Sequence, residues 1–472
     1  MRDVYIIGAH TIRFGKYLDK TITDLAGMTL FPCLKMATID KKDIQALWFS
    51  NSAWGEYRRQ VCIRGQVAMR PLGIDAIPII NVENACAGGA TAFHSAWMGV
   101  ASGLYDITMA LGSEKIYDQN TSLVFSAFLT GLDVGKLSHD LDHLSDYALR
   151  PDEIKEMNRH TETYGNDQHK KKSKKSSWLS QLINYKNMAV IAIRIGESMG
   201  YDVLSKLRKQ GIGGDHSPFM DVYGFEARQH MRKYGSTIEQ LAKIASKNHF
   251  HSTLNPNAQY QFNVSPEQVL SDRMVTWPLT RSMCAPVGDG SASAILCDEK
   301  TVKRLGLMNQ AVRIRASVVG SGMYRERDAM DIGQRLSIQA YEQAGLGPED
   351  MNFAEVHDAS AYGELHQAEN LGFCPLGEGG IFAESGATRI GGKKTINPSG
   401  GLESRGHPIG ASGLAQIHEL VIQLLGKAEN RQIPDAQIAI AENGGGALGV
   451  EEAAMGIHIL EAPSNKAMLK DD

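Results

Sequence analysis

Cys86 is the residue whose type and position most favour covalent chemistry. It stands in N-A-C-A-G-G-A-T-A, between an apolar run and a segment of small residues that predicts a helix. Backbone N–H groups and the positive end of a helix dipole at this point would favour the thiolate and lower the thiol pKa. Glycines at 88 and 89 allow close backbone approach. We predict that Cys86 is a nucleophile and that the other five cysteines are inert.

Two histidines lie in motifs that suit such a nucleophile. His407 belongs to G-H-P-I-G-A-S-G, in which Pro408 fits a first helical turn, and it could accept the thiol proton and return it later. His357 ends the run A-E-V-H at a strand-to-helix change. It could donate a hydrogen bond to a developing enolate or thioester oxygen. Taken alone, a histidine is more often structural, so the surrounding motif decides.

A run of three glycines, Gly444, Gly445 and Gly446, follows a predicted strand in A-E-N-G-G-G-A-L-G. A turn of this kind can direct backbone N–H groups into an oxyanion hole for a thioester carbonyl. A plain glycine turn is the alternative interpretation. A dinucleotide site is disfavoured, because the G-x-G-x-x-G spacing lacks the expected strand, helix and acidic residue around it.

Alternating strands and helices must position these side chains. The apolar patterns predict strands at 4–8, 76–82, 107–112, 292–297, 312–320, 354–357, 438–441 and 454–460. A buried helix is predicted at 87–103 and another at 335–344, and two amphipathic helices meet at Tyr234-Gly235, with Ser236 or Thr237 as N-cap. This order predicts an α/β fold. Each half places a reactive side chain before a small-residue helix, so two similar lobes should face one site.

Residues 118–220 differ in composition from the rest of the chain, which predicts an insertion. They are rich in charge and contain five lysines at positions 170, 171, 172, 174 and 175. These lysines could meet phosphates of a nucleotide-bearing substrate or an acidic partner, although a solvated loop is the commoner explanation of such a run.

The composition indicates a globular protein that acts on a small molecule. The 472 residues carry a net charge of −4, with 43% hydrophobic and 22% charged residues. This balance gives no broad field for nucleic acid or an anionic membrane. The cysteines form no C-x-x-C pair, which disfavours a metal site. Neither a secretory apolar run nor a membrane-spanning stretch is present in the sequence, so we expect a cytoplasmic protein.

Seven motifs occur in order along the chain and together resemble the thiolase superfamily. They are N-V-E-N-A-C-A-G-G-A-T-A, A-L-G-S-E-K, M-R-K-Y-G-S-T-I-E-Q-L-A, C-A-P-V-G-D-G-S-A-S-A-I-L, E-V-H-D-A-S, N-P-S-G-G-L-E-S-R-G-H-P-I-G-A-S-G-L-A-Q and N-G-G-G. The pattern is most similar to thiolases of the sterol-carrier-protein-2 type and their bacterial and archaeal relatives. It runs to about residue 460 and omits only about 118–220.

The resemblance implies a fold of two βαβαβαββ halves in five layers with an inserted loop region. The N-terminal half would comprise residues 1–118 and 271–305, the insertion 119–270, and the C-terminal half 306–472. The family forms homodimers or higher oligomers, and several members work with a small zinc-ribbon and OB-fold partner protein. The implied substrate is a coenzyme A thioester, with no bound cofactor.

The same resemblance assigns roles to the candidate residues. Cys86 would carry the acyl group, His407 would activate it, and His357 would help to bind the thioester oxygen of the nucleophilic substrate. Gly444 to Gly446, together with the Cys86 N–H, would form the second oxyanion hole.

Two departures from the family pattern concern its second cysteine. Glu442 stands at the cysteine of the C-x-G loop, and Ala359 stands at the cysteine of H-D-C. A thiolase needs a base to remove an α-proton or an acid to return one. Without that cysteine, the task falls to His357, His407 or Glu442, or it is not performed.

Three functions follow from these observations. The preferred hypothesis is a thiolase-like acyl-CoA acyltransferase, which forms or cleaves a carbon–carbon bond of a 3-oxoacyl-CoA through an acyl-enzyme on Cys86. A decarboxylating condensing enzyme of the ketoacyl-synthase type would need no α-proton base, which the absent second cysteine favours. The third hypothesis is a thioester-binding subunit without catalysis.

Overall fold

The computed structural model describes residues 1–118, 124, 127–132, 149–165 and 216–463. The lysine run at 170–175 lies outside these residues. Twelve strands are described: β1 Val4–Thr11, β2 Ala46–Ser50, β3 Ile79–Val82, β4 Ile107–Glu114, β5 Met274–Thr276, β6 Leu279–Thr280, β7 Gly290–Asp298, β8 Val312–Ser321, β9 Phe353–Glu355, β10 Thr395–Ile396, β11 Ile438–Gly445 and β12 Ala454–Glu461.

Fourteen α-helices connect or cover these strands in the described part of the chain. They are α1 Ile22–Ala37, α2 Ala53–Arg58, α3 Arg64–Met69, α4 Gly88–Ala101, α5 Pro151–Tyr164, α6 Pro218–Tyr234, α7 Ile238–Thr253, α8 Pro266–Leu270, α9 Glu299–Leu305, α10 Ile332–Ala344, α11 Ala361–Asn370, α12 Gly379–Glu384, α13 Gly401–Arg405 and α14 Ser412–Leu424. Among the described residues, none of the helices combines the length and apolarity needed to cross a membrane.

Ten of the strands form one mixed sheet with an internal symmetry. Their order is β3-β2-β4-β7-β1-β8-β12-β11-β9-β10, so each half of the chain supplies five neighbouring strands. In the N-terminal half, β3, β2 and β4 pair in parallel, whereas β4, β7 and β1 pair antiparallel. In the C-terminal half, β10, β9 and β11 pair in parallel, whereas β11, β12 and β8 pair antiparallel. The halves join where β1 pairs with β8 at Tyr5–Arg313 and Ile6–Val312. The predicted α/β fold with two similar βαβαβαββ halves is confirmed.

Helices α4 and α14 lie at the centre of the molecule. They pack against each other, and α4 contacts β4 and β7 of the first half as well as β12 and β8 of the second. Their small and apolar residues, such as Ala92, Ala96 and Leu420, belong to the largest buried cluster. Helix α1 covers β1, β7 and β4, whereas α10 covers β8 and β12. The central helices therefore carry the segments around Cys86 and His407 to one place.

Most predicted elements occur with altered ends that have local causes. The strand predicted at 76–82 begins only at Ile79, because Ala76 has a φ of 57° and interrupts the extended backbone. The helix predicted at 335–344 begins earlier, at Ile332, because Asp331 caps it and forms a capping box with Gln334. Thr237, rather than Ser236, caps α7.

Candidate active site

Cys86 lies at a sharp turn between β3 and α4. The preceding residue, Ala85, has a φ of 46°, in the left-handed region that is strained for residues other than glycine. Its N–H donates to the Glu83 carboxylate at 2.7 Å, which holds this conformation. The turn leaves Cys86 two residues before α4 begins at Gly88. The sequence therefore folds into a strand, a strained turn and a helix around the thiol.

Glycines near Cys86 are required by close contacts between the two halves. A Cβ on Gly89 would lie 3.0 Å from the Gly413 nitrogen, and a Cβ on Gly413 would lie 2.6 Å from the Ala90 nitrogen. A Cβ on Gly445 would lie only 2.6 Å from the Cys86 nitrogen. Side chains do not fit at such distances. The first turns of α4 and α14 and the glycine run consequently meet at Cys86.

His407 contacts the thiol directly and has a defined orientation. Its Nε2 lies 3.2 Å from Cys86 Sγ, and its Nδ1 lies 2.7 Å from Ser412 Oγ. The Ser412 hydroxyl donates to the Pro408 carbonyl at 3.1 Å, so it accepts from Nδ1–H. This arrangement leaves Nε2 as the free acceptor of the ring. His407 is therefore oriented to receive the thiol proton.

His357 lies beside this pair with the opposite orientation. The Asn443 side-chain amide donates to His357 Nδ1 at 3.1 Å, so Nε2 carries the proton of the neutral ring. The rings of His357 and His407 are 5.1 Å apart and nearly perpendicular. His357 is buried, and its Nε2–H has no hydrogen-bond partner among the described residues. It is thus an available donor next to the nucleophile.

Burial keeps all three groups uncharged at neutral pH. It raises the pKa of Cys86 to about 12. Burial, together with the charge of Arg405, lowers the pKa of His357 to about 3, and burial lowers that of His407 well below its ordinary value. The sequence analysis expected a lowered thiol pKa, whereas burial of the sulfur and the nearby carboxylates of Glu83 and Glu114 raise it. The thiol must lose its proton to His407 as it attacks.

Cys86, His357 and His407 open onto one cavity of about 190 Å³. Most of its remaining wall is apolar or aromatic and includes Phe128, Phe219, Met220, Tyr223, Val275 and Val287. Helix α6, in the region predicted as an insertion, supplies three of these side chains. The cavity can exclude water from the sulfur and accept an acyl group.

Two of the three predicted oxyanion glycines line this cavity. They are Gly445 and Gly446, whereas Gly444 is not among the described lining residues and pairs with Met455 inside the sheet. Gly446 has a φ of 69°, which glycine adopts without strain. The N–H groups of Gly446 and Cys86 donate toward the sulfur. Both N–H groups therefore lie next to the sulfur, where the oxygen of an acyl group attached to it could accept them.

Glu442 lies behind this wall. Its carboxylate accepts the backbone N–H of His357 at 2.8 Å, and the side chain is fully buried. Burial raises the pKa of Glu442 to about 8. Glu442 is not among the described residues that line the cavity, and it contacts the site through the backbone N–H of His357.

The sequence analysis missed four side chains at this site. Ser412 and Asn443 orient the two histidines, and Cys284 and Tyr223 line the cavity. Ser412 and Asn443 stand within the motifs around His407 and the glycine run, so these motifs carried the signal that could have indicated them. Cys284 opens the motif C-A-P-V-G-D-G-S-A-S-A-I-L, but the sequence analysis predicted that it is inert. Tyr223 is distant in sequence from every candidate, so no local pattern could have indicated it.

Cys86, His357 and His407 also form a cluster of metal-ligating atoms within 4.8 Å of one another. One thiol and two imidazoles are ligands that Zn²⁺ accepts. Direct hydrogen bonding between Cys86 and His407 uses the same atoms, so a bound metal would compete with the thiol–imidazole pair.

Comparisons with known proteins identify the family. Residues 4–170 match the family model described as thiolase, N-terminal domain, and residues 325–458 match thiolase C-terminal domain-like. An acetyl-CoA acetyltransferase of Methanothermobacter thermautotrophicus is 32% identical over 95% of this chain and 98% of its own length. The chain belongs to the thiolase family. The resemblance inferred from the seven motifs is thereby confirmed.

Other relatives of this thiolase include both long and equal-sized proteins. Sterol carrier protein 2 of Oryctolagus cuniculus is 34% identical over 84% of the chain, which spans only 64% of that protein's length. Benzoylsuccinyl-CoA thiolase subunit BbsB of Thauera aromatica is 31% identical over 94% of the chain and 95% of its own length.

Solved structures support the thiolase fold. The structure described as Ltp2-ChsH2(DUF35) aldolase matches with a TM-score of 0.69 and 19% identity, covering 98% of both chains. Human mitochondrial 3-ketoacyl-CoA thiolase matches with a TM-score of 0.60 and 16% identity, covering 98% of this chain and 99% of its own.

Proposed function

We propose that this thiolase is an acyl-CoA acyltransferase that forms or cleaves a carbon–carbon bond of a 3-oxoacyl-CoA through an acyl-enzyme on Cys86. The observation that carries the proposal is the 3.2 Å contact between Cys86 Sγ and His407 Nε2 in a cavity shared with His357. The names of the acetyltransferase and thiolase relatives support the same reaction class. Coenzyme A enters as part of the substrate.

Acyl transfer begins at Cys86. As the sulfur attacks the carbonyl carbon, its proton passes to His407 Nε2, and the resulting imidazolium is stabilised by the hydrogen bond from Nδ1–H to Ser412. Backbone N–H groups of Cys86 and Gly446 receive the developing negative charge on the carbonyl oxygen.

The carbon–carbon step uses His357. Its Nε2–H donates to the thioester oxygen of the substrate whose α-carbon reacts, and this hydrogen bond strengthens as an enolate develops. Asn443 keeps Nδ1 occupied as an acceptor, which fixes the donor on the correct nitrogen. We assign Glu442 as a positioning residue for His357, because its carboxylate binds the backbone N–H of that residue.

We also propose how the chain is divided and how it assembles. We retain the division into 1–118 with 271–305, 119–270 and 306–472, supported by the pairing of β7 with both β1 and β4. The exposed apolar side chain of Ile80 on the edge strand β3 favours a homodimer or higher oligomer. The word subunit in the name of BbsB is consistent with a partner protein. From the family resemblance, we propose that such a partner is a small protein with a zinc ribbon and an OB fold.

Steady-state assays with the purified protein test the reaction class. We expect thiolysis of acetoacetyl-CoA with free coenzyme A, and a loss on the order of 10⁴-fold or more in Cys86→Ala. Condensation should proceed with acetyl-CoA as the second substrate. Dependence on malonyl-CoA would instead identify a decarboxylating synthase, and full turnover in Cys86→Ala would refute covalent catalysis.

A further inference from the structure

Carbon–carbon bond cleavage leaves a carbanion that needs a proton, and the residues described so far do not supply it. His407 exchanges its proton with Cys86 and binds Ser412 through the other nitrogen. His357 provides a hydrogen bond to oxygen, and its pKa of about 3 keeps the ring neutral. Glu442 is not among the described residues that line the cavity. The acid must therefore be another group on the cavity wall.

Two other titratable side chains at the wall are paired with carboxylates. His216 Nε2 binds both carboxylate oxygens of Asp221 at 3.1 Å. Arg281 forms an ion pair with Asp272 at 3.0 Å. Among the described lining residues, Cys284, Tyr223 and Tyr260 remain as candidates, and of these Cys284 is paired through its backbone with the loop that carries His357.

Cys284 is held beside the loop that carries His357. It forms an antiparallel bridge with Ser360, and the next N–H along the chain, that of Ala285, donates to the Ala359 carbonyl at 3.0 Å. The Cys284 side chain packs against the apolar cluster that contains Ala359. Its S–H donates to the Thr280 carbonyl at 3.3 Å. A thiol thus reaches the cavity wall next to position 359, although that position itself is alanine.

An independent observation indicates that substrate binds next to this thiol. The buried His357 presents an Nε2–H to the cavity, and this donor has no partner among the described residues. A thioester oxygen bound there would bring the adjacent α-carbon into the part of the cavity that Cys86, His357 and Ala359 line. Cys284 lies on that part of the wall.

We propose that Cys284 is the acid–base residue of the carbon–carbon step, protonating the α-carbon in cleavage and removing the proton in condensation. The inference rests on the proposed function and extends it to the residue that replaces the missing second cysteine. Burial raises the pKa of Cys284, so the resting group is a thiol and carries the proton that cleavage requires.

Protons and bonds balance along the cleavage path. Cys86 transfers its proton to His407 and forms a bond to the 3-oxo carbonyl carbon, and the carbon–carbon bond then breaks to leave an enolate. Cys284 S–H breaks as the new α-C–H forms, and the thiolate regains a proton from the His407 imidazolium. The thiol of free coenzyme A next attacks the acyl-enzyme, passing its proton through His407 to the departing Cys86 sulfur.

The test separates acylation from carbon–carbon chemistry in the full-length protein. In Cys284→Ser, we expect the rate at which acetyl-CoA forms acetyl-Cys86, measured by mass spectrometry, to change less than about 3-fold. Thiolysis of acetoacetyl-CoA should fall by about 10²-fold or more, because an alcohol is a far weaker acid than a thiol. Incorporation of deuterium from D₂O into the α-carbon of acetyl-CoA should be lost to the same extent.

Two further variants make the outcome decisive. Cys374→Ser removes a partly buried thiol that is not among the cavity-lining residues and should leave both activities unchanged. Tyr223→Phe should retain deuterium exchange. Retained thiolysis in Cys284→Ser, or an equal loss of acylation and thiolysis in that variant, would overturn the assignment. Loss of deuterium exchange in Tyr223→Phe but not in Cys284→Ser would also overturn it. Absence of acetyl-Cys86 in the wild-type protein would instead refute the proposed function.

Discussion

The two halves of this thiolase share one strand order but hold their reactive residues in different ways. In the N-terminal half, Cys86 follows β3 directly and is fixed by backbone contacts that only glycines permit. In the C-terminal half, a buried segment separates β10 from His407. Polar contacts fix this segment, among them the ion pair of Arg405 with Glu355 at 2.9 Å.

The difference teaches how a repeated fold produces an asymmetric site. Close backbone packing leaves Cys86 almost no freedom, which suits a nucleophile that forms a covalent bond. The longer segment lets the His407 ring reach across to the other half, and Ser412, the first residue of α14, gives the ring a hydrogen-bonding partner. Neither half contains a complete catalytic pair.

Removal of the base should have the largest effect. We expect His407→Ala to lower thiolysis by about 10³- to 10⁴-fold, because the thiol of Cys86 then has no neighbouring acceptor for its proton. His216→Ala is the matched control, since that histidine lines the same cavity but binds Asp221. Comparable losses in both variants would contradict the role assigned to His407.

Removal of the C-terminal ion pair should mainly affect stability. Arg405→Met leaves Glu355 buried without its partner and should reduce the free energy of unfolding by about 3–5 kcal/mol, measured by urea denaturation. Arg315→Met, which breaks a more exposed pair with Glu461, should cost about 1 kcal/mol or less. Equal costs would show that the buried pair does not support the His407 segment.

A methyl group at the glycine run tests the packing of the N-terminal half. Gly445→Ala introduces a Cβ 2.6 Å from the Cys86 nitrogen and should displace the nucleophile, lowering kcat by about 10²-fold. Gly15→Ala, whose Cβ would meet its nearest atom at 4.0 Å, should leave kcat unchanged. Normal acylation of Gly445→Ala would show that the contact is not needed for positioning.

The sequence predicted the parts of the fold that depend on local pattern. Apolar periodicity indicated most strands, and the small residues near Cys86 and His407 indicated a helix after each of these residues. The thiol pKa could not be predicted in this way, because it depends on residues from both halves that bury the sulfur. The side of the sheet that Glu442 faces could not be predicted either, because it depends on the register of the strand.

Titration of Glu442 should make stability depend on pH. Its pKa is about 8 in the folded protein against an ordinary value of 4.5, so the native state retains a proton that the unfolded state loses. The wild-type free energy of unfolding should fall with pH between about 4.5 and 8, by up to about 1.4 kcal/mol per pH unit from this group. Glu442→Gln should remove that contribution in urea denaturation at pH 5.5 and 7.5. Parallel pH dependence in both proteins would contradict the raised pKa.

Loss of the hydroxyl behind His407 should have the smallest effect. Ser412→Ala removes the partner of Nδ1–H and should lower kcat by about 10-fold, because one hydrogen bond to the imidazolium is lost. Ser412→Thr should restore most of the rate. An unchanged kcat in the alanine variant would show that the ring is oriented by packing alone.

The acyl-enzyme itself tests the central claim most directly. After brief mixing with isotopically labelled acetyl-CoA and acid quenching, peptide mass spectrometry should locate the label on Cys86. His407→Ala should acquire the label at least about 10²-fold more slowly, and Cys86→Ala should not acquire it. Label on another residue, or equally rapid labelling of Cys86 without His407, would contradict a nucleophile activated across the two halves.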